Sequence, residues 1–385
     1  MTEKLFEQSA YIREFTAKVL SCEKNGDFFE VVLDKTAFFP EGGGQGADKG
    51  TLNGTEVIDV QINNEIITHR VSEEIPAGTE VKGKLDWELR FARMQSHSAE
   101  HVVSGIVHTL FGYENTGFHM GERIMTVDFS GPLTAEKIAD IELQANKAVY
   151  ANTKITAFFP TPEEAEKIQY RSKLEISEGL RLVTIEGVDC CACCAPHVGA
   201  TGEIGLIKVL DFCPNKGGTR LEIVAGIFAL EDYISLNSAN KGFMKLFSAK
   251  RNETGEAVNR QNDIVNELRA ENSRLIKRLA IAELEPVNMG DSVYAFCEDV
   301  SYDELRHCSN YLLEKGVNVC VLLSETEENS YIYVVSSEKT DVKPIVAQLN
   351  STFNGKGGGK PNYAQGKISA QDRKSIETAL EKILA

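Results

Sequence analysis

The sequence predicts an α+β protein of several units, and three observations carry that expectation. The chain has 385 residues, which at roughly 150 residues per domain points to two or three folded units. Its hydrophobic periodicity changes from short alternating runs to helical spacing near Arg90. A heptad pattern then occupies positions 256 to 285, ahead of a last segment in which strand and helix patterns alternate again.

Before Arg90, the runs FFEVVL (28–33), EVIDVQI (56–62), EIITHRV (65–71) and EVKGKL (80–85) are β-prone and separated by Gly-rich turns. That spacing reads as a small antiparallel barrel or sandwich. From Arg90, the residues Met94, Val102, Val103, Ile106, Val107 and Leu110 fall at helical intervals and open a mixed α/β unit. It continues through a strand at 126–130, a helix at 135–150 and strands between 180 and 230. In the heptad, Val258, Val265, Asn272 and Leu279 share one core position, and Gln261, Leu268, Leu275 and Ala282 the other. The pattern suits a short coiled coil, with an amphipathic helix packed on its own domain as the alternative. Pro286 is expected to close that helix, and YAFCEDV, VNVCVLL and SYIYVVS supply strands of a C-terminal α/β unit with a final helix from Asp372.

Composition narrows the class. Hydrophobic residues make up 42% and charged residues 25% of the chain, a globular rather than a disordered balance. A net charge of −16 excludes a uniformly basic, nucleic-acid-coating surface and leaves room for a local basic patch. No run approaches the roughly 18 to 20 apolar residues of a membrane span. The start MTEKLFEQSAYIREF lacks a signal-peptide core, so no membrane association and a cytoplasmic location are expected.

Nine cysteines include the cluster Cys190, Cys191, Cys193 and Cys194, too closely spaced to pair easily among themselves. In a cytosolic chain this suggests metal or redox chemistry. His97 and His101 stand one helical turn apart, and Cys193 and His197 repeat the four-residue interval. Two bidentate halves could form a tetrahedral Cys/His₃ set suited to zinc, while an iron–sulfur site or plain packing of small residues are the other readings of the cysteines. A zinc peptidase does not fit, because Ser98 rather than Glu follows His97. His108 and His119 read as packing or supporting residues rather than ligands. The loop FFPEGGGQGADKG (38–50) can bring backbone amides close to a ligand, or can be a flexible hairpin; with no Gly-Lys-Ser/Thr it is not a P-loop.

Taken in order, these pieces resemble the editing module of alanyl-tRNA synthetases and of the free-standing AlaX group. The resemblance rests on Thr36-Ala37-Phe38-Phe39-Pro40-Glu41-Gly42-Gly43-Gly44-Gln45, on His97 and His101, and on Cys193 to His197 followed by Thr201-Gly202-Glu203-Ile204-Gly205. Gly218 to Gly226 is similar to a further family strand, and GKGGGKPNYAQGKI (355–368) to the signature of the DHH-associated domain that ends those synthetases. Two departures stand out: Cys194-Ala195-Pro196 where the family has Gly-Gly-Thr, and Leu221 where it has a second Arg.

The resemblance implies an N-terminal small β-barrel (1–90), an α/β zinc-binding editing domain (91–235), a helical coiled-coil arm (236–285) and a C-terminal α/β tRNA-binding domain (286–385). It implies a trans-editing hydrolase that deacylates mischarged tRNA(Ala), carrying serine and in some cases glycine, with one Zn²⁺ per chain. A non-catalytic tRNA-binding module with structural zinc is the alternative. The implied metal ligands are His97, His101, Cys193 and His197. Thr36 and Gln45 are implied in catalysis, with Thr36 bonding a seryl hydroxyl, and Gly43, Gly44, His119 and Arg220 in substrate binding. Residues 339–374 carry seven Lys or Arg against two Asp, and Lys356, Gly357, Gly358, Gly359 and Lys360 are the implied RNA-binding run. A homodimer through the arm and the C-terminal domain completes the expectation.

Overall fold

The protein is seen here as a computed structural model that describes residues 2–172, 179–284, 290–327 and 329–385. The chain divides into two compact units, Met1–Lys241 and Gly242–Ala385. Among the described residues no helix is long and apolar enough to cross a membrane.

In the first unit, the strands Glu14–Asn25, Phe28–Leu33, Gly50–Leu52, Thr55–Asn63, Ile66–Val71 and Glu80–Leu85 close into a barrel. Numbered along the chain, they run in the spatial order 1-2-5-4-3-6. Alternation explains which face is inside: in Glu80–Leu85, Val81, Gly83 and Leu85 are buried and the residues between them exposed. Gly83 makes room for Phe15, whose ring would lie 2.4 Å from a Cβ at that position.

A helix of 25 residues, Trp87–Phe111, follows the barrel. Asp86 caps its start by accepting from Leu89 N–H, and Gly112 ends it in a left-handed conformation with φ 68°. The helix packs with Ala135–Tyr150 against a four-stranded antiparallel sheet. That sheet is ordered Ile207–Asn215, Gly218–Ala225, Met125–Phe129, Asn115–Met120. A separate three-stranded sheet, Ile155–Phe158, Leu182–Ile185 and Asp189–Ala192, carries the cysteine cluster on its last hairpin.

The expected helical arm is two helices, Gly226–Phe247 and Thr254–Leu284. The first starts ten residues before the expected 236, because Gln95 Oε1 accepts from Ile227 N–H and satisfies a free donor at its start. Ser248, at φ 50°, follows its end. Pro286 lies outside the described residues.

In the second unit, five strands are ordered Ser292–Phe296, Val319–Glu327, Ser330–Ser337, Tyr363–Ser369, Lys356–Lys360. Both faces of this sheet are covered: Cys320 and Leu322 pack toward the helix Tyr302–Glu314, and Val321 and Leu323 toward Lys343–Thr352 and Arg373–Leu384. Two-sided burial accounts for the unbroken apolar run VCVLL.

Candidate metal centre

His97 and His101 lie on the buried face of the helix Trp87–Phe111, one turn apart. Cys193 follows the strand Asp189–Ala192, and His197 lies just before the short 3₁₀ turn Thr201–Ile204. Arg181 holds the chain between them. Its carbonyl accepts from Cys193 N–H at 3.0 Å, and its Nη1 donates to the carbonyls of Cys193 and Ala195 at 2.8 and 3.0 Å.

The ligand atoms of His97, His101, Cys193 and His197 all fall within 4.8 Å of one another. Cys193 Sγ is 3.5 Å from His97 Nε2 and 3.4 Å from His197 Nε2. Zinc bonds of about 2.1 Å to nitrogen and 2.3 Å to sulfur at the tetrahedral angle give an N···S edge of roughly 3.6 Å. The donor set and its spacing therefore fit a zinc-sized ion.

Each imidazole is held from behind through Nδ1. His97 Nδ1 is 3.0 Å from Gln45 Oε1, His101 Nδ1 is 3.1 Å from Asp189 Oδ2, and His197 Nδ1 is 3.0 Å from Ser98 Oγ. An amide oxygen can only accept, so His97 carries its proton on Nδ1 and offers Nε2 to the centre; at His101 the Asp189 carboxylate lies close to Nδ1 as an ion-pair contact, without the alignment of a hydrogen bond. Ser98 Oγ also accepts from Val198 N–H, which ties the helix to the segment bearing His197.

Electrostatics point the same way. Burial alone would raise the Cys193 thiol, but the His97 and His197 imidazoles and the bonds from His101 and His197 hold it well below its usual value. Burial pushes His197 down to about 3, which leaves it the neutral donor a metal requires. His101 runs the other way: it is held well above its usual value, against burial, by Asp189 and Cys193, so metal binding has to displace a proton from it.

The glycine loop reaches the centre as a two-residue hairpin turn. Gly42 and Gln45 exchange both backbone hydrogen bonds at 3.0 Å, with Gly43 at φ 61° and Gly44 at φ 82° between them. Both central positions need positive φ, which glycine adopts without strain. Space adds to the demand, because a Cβ on Gly44 would lie 2.7 Å from Phe118. The loop is bolted to the helix by Arg90. Its Nε donates to Asp48 Oδ2 at 2.8 Å, a second guanidinium nitrogen bonds the same oxygen, and Nη2 donates to Ala37 O at 2.6 Å.

A cavity of about 290 Å³ opens beside the ligands, lined among others by Gly43, Glu100, Phe118, Arg181 and Cys194. Glu100 is buried, with one oxygen accepting from Ser104 Oγ and Asn115 Nδ2 and the other 3.8 Å from His101 Nε2.

Several expected site residues lie elsewhere. Thr36 is fully buried in the barrel, with Oγ1 at 2.8 Å from His69 Nε2 and accepting from Phe38 N–H, and it does not line the cavity. Gln45 supports His97 and also stays off the cavity wall. The Gly44 carbonyl accepts from Met120 N–H at 2.8 Å. His119 is exposed on Asn115–Met120, and its neighbour Phe118 faces the cavity instead, since strand residues alternate in direction. Arg220 is committed to Asp128 at 2.6 and 2.7 Å, and His108 to Glu114 at 2.9 Å. Lys356–Lys360, the expected RNA-binding run, is an exposed edge strand in the second unit. Gly357 is forced there by Tyr333, whose hydroxyl would be 2.2 Å from a Cβ.

Sequence reasoning missed Ser98, Asp189, Arg181 and Phe118. In the sequence Ser98 signals only the absence of a peptidase motif, and no spacing signals the other three.

Three family models match the chain. Residues 4–89 match tRNA synthetases class II (A), residues 180–241 the threonyl and alanyl tRNA synthetase second additional domain, and residues 290–385 the DHHA1 domain. The chain is 31% identical to the alanyl-tRNA editing protein Aarsd1 of Bos taurus over 97% of this chain and 96% of that protein. It is 29% identical to the alanyl-tRNA editing protein AlaX-L of Pyrococcus horikoshii over 100% of this chain and 98% of that protein. It is also 32% identical to an alanine–tRNA ligase of Methanococcus vannielii, matching 99% of this chain but 43% of the ligase.

Proposed function

The chain belongs to the family of alanyl-tRNA editing proteins, and on that premise we propose that it is a trans-editing hydrolase acting on mischarged tRNA(Ala). Its main substrate on this reading is Ser-tRNA(Ala), with Gly-tRNA(Ala) as a second. The observation that carries the proposal is the buried His₃Cys cage opening onto a cavity of about 290 Å³, a size suited to one small aminoacyl group at the end of an RNA strand.

His97, His101, Cys193 and His197 would hold one Zn²⁺ per chain. When bound, the ion supplies positive charge that orients the aminoacyl end and polarises the ester. The remaining tasks fall to the protein. Gly43 lets the backbone approach the ester closely, and Gln45 acts through His97 as a positioning residue. Glu100, buried with Ser104 Oγ and Asn115 Nδ2 donating to one oxygen, is suited to accept a seryl hydroxyl on the other. An alanyl group, a methyl in place of that hydroxyl, would leave the acceptor unpaired, and unpaired buried polar groups discriminate strongly; a glycyl group lacks the methyl as well and leaves room for water there.

In the reaction, water adds to the ester carbonyl, the bond from the acyl carbon to the terminal ribose oxygen breaks, and that oxygen takes a proton. On this reading the second unit is the tRNA-binding part, with the exposed cations Lys356 and Lys360 on phosphate, the molecule works as a homodimer, and the cytoplasm is its compartment. One observation favours a second reading, a binding module with structural zinc: four protein donors already complete a tetrahedral shell.

Deacylation of seryl- and alanyl-tRNA(Ala) by the wild type, by Cys193→Ala and by Lys356→Ala/Lys360→Ala tests both. The hydrolase reading expects rapid loss of the seryl ester alone, no loss with the folded Cys193 variant, and weaker tRNA binding with the lysine pair. Intact tRNA binding without hydrolysis by the wild type would favour the binding module.

A further inference from the structure

Resting on the reading of His97, His101, Cys193 and His197 as a metal centre, we propose that Asp189, clamped by Arg171, is the positioning residue that locks His101 for metal binding. Both carboxylate oxygens of Asp189 are engaged. Arg171 Nε donates to Oδ1 and Nη2 to Oδ2, each at 2.8 Å, in the parallel two-bond geometry that fixes a carboxylate in its plane. Oδ2 then lies 3.1 Å from His101 Nδ1, a close ion-pair contact that falls short of hydrogen-bond alignment in the metal-free protein and that a bound ion would draw straight by turning the ring.

The fold fixes all three residues. Gly105, one turn beyond His101, lets the helix settle onto the strand that Asp189 begins: a Cβ there would lie 2.8 Å from Asp189 Cβ and 2.4 Å from Val188 O. Arg171 is anchored by its own backbone, its N–H donating to Cys190 O at 2.8 Å and its carbonyl accepting from Ala192 N–H at 2.9 Å. The clamp also stands between two openings. Arg171 lines both the cavity at the centre and a separate groove of about 760 Å³ whose wall includes Asp189.

Of the three Nδ1 acceptors, Gln45 and Ser98 are neutral and Asp189 is ionic. A carboxylate acceptor fixes the Nδ1–H tautomer and raises the electron density at Nε2. His101, Asp189 and Cys191 also gather within 4.8 Å and could be read as a second metal site. The guanidinium across both Asp189 oxygens argues against that, since it already neutralises the carboxylate that such an ion would need.

The test is Zn²⁺ affinity by chelator competition on the full chain, comparing the wild type with Asp189→Leu, Asp189→Asn and Arg171→Gln. The cobalt(II) absorption spectrum and the unfolding midpoint of each metal-free protein are measured alongside. The wild type should bind one ion per chain, and Asp189→Leu should bind it about 10–100-fold more weakly. Asp189→Asn, whose amide oxygen still accepts from Nδ1–H, should recover part of that loss with a metal-free midpoint near the wild type. Arg171→Gln should weaken binding and displace the cobalt spectrum. If Asp189→Leu does not fold, the Asn and Arg171 variants decide the matter by affinity and spectrum. Affinities within twofold of the wild type would overturn the proposal, as would two ions per wild-type chain with one lost in Asp189→Asn. A wild type that binds no ion would instead remove the centre itself, a distinguishable failure.

Discussion

His69 shows how a single residue ties stability to its surroundings. It is fully buried in the barrel between Thr36 Oγ1 at 2.8 Å and Val31 O at 3.2 Å, and burial lowers it to about 4 despite the bond to Val31. The unfolded chain takes up a proton on this side chain near 6.5. Between about pH 6.5 and pH 4 the unfolded state therefore binds more protons, so stability falls as pH falls through that window. The expected contribution is on the order of 2 kcal/mol. Urea unfolding of the wild type and His69→Gln at pH 7 and pH 4.5 checks it: the wild type should lose more, and parallel losses would remove His69 as the cause. Cys193 and Gly44 were legible at this scale, because thiolate chemistry and positive φ each demand a particular residue type. Phe118 was not, because nothing in its neighbours' spacing says which of two adjacent strand residues faces inward.

Among the elements, the junction between the glycine loop and the helix Trp87–Phe111 carries the most concentrated energetics. Arg90 and Asp48 are each about 1% exposed, and no water can replace either partner. Removing one member of a buried pair costs about 3–5 kcal/mol, since the remaining charge stays desolvated. Asp48→Ala should lower unfolding stability by that amount and loosen the loop that supports His97 through Gln45. A change under about 1 kcal/mol in urea unfolding would contradict this use of the pair. Strand periodicity located this region well: Phe28–Leu33 and Glu80–Leu85 fall where alternation placed them. The helix Gly226–Phe247 began earlier than its own residues indicate, because the group that caps it, Gln95, comes from a helix more than a hundred residues upstream.

At the scale of the whole molecule, the helix Thr254–Leu284 has two fates. Ile276, Ala280 and Leu284, at four-residue spacing, pack into the core of the second unit. Val258, Leu268, Leu275 and Leu279, all heptad positions, remain exposed. Covering them with the same helix of a second copy is the arrangement the heptad favours. On the proposed dimer, the wild type should sediment as a dimer and Leu268→Lys/Leu275→Lys as a monomer at the same concentration, and a wild type monomeric throughout would remove the dimer. By itself the sequence determined the change from strand to helix near Arg90, the two four-residue ligand pairs and the glycine turn, because each is a local pattern with its own physical demand. Only the tertiary structure decided that the two pairs converge, that Thr36 turns into the barrel, and that Asp189, Ser98 and Gln45 stand behind the three histidines. Those are contacts between residues up to a hundred positions apart, set by how the helix packs on the sheets rather than by any spacing along the chain.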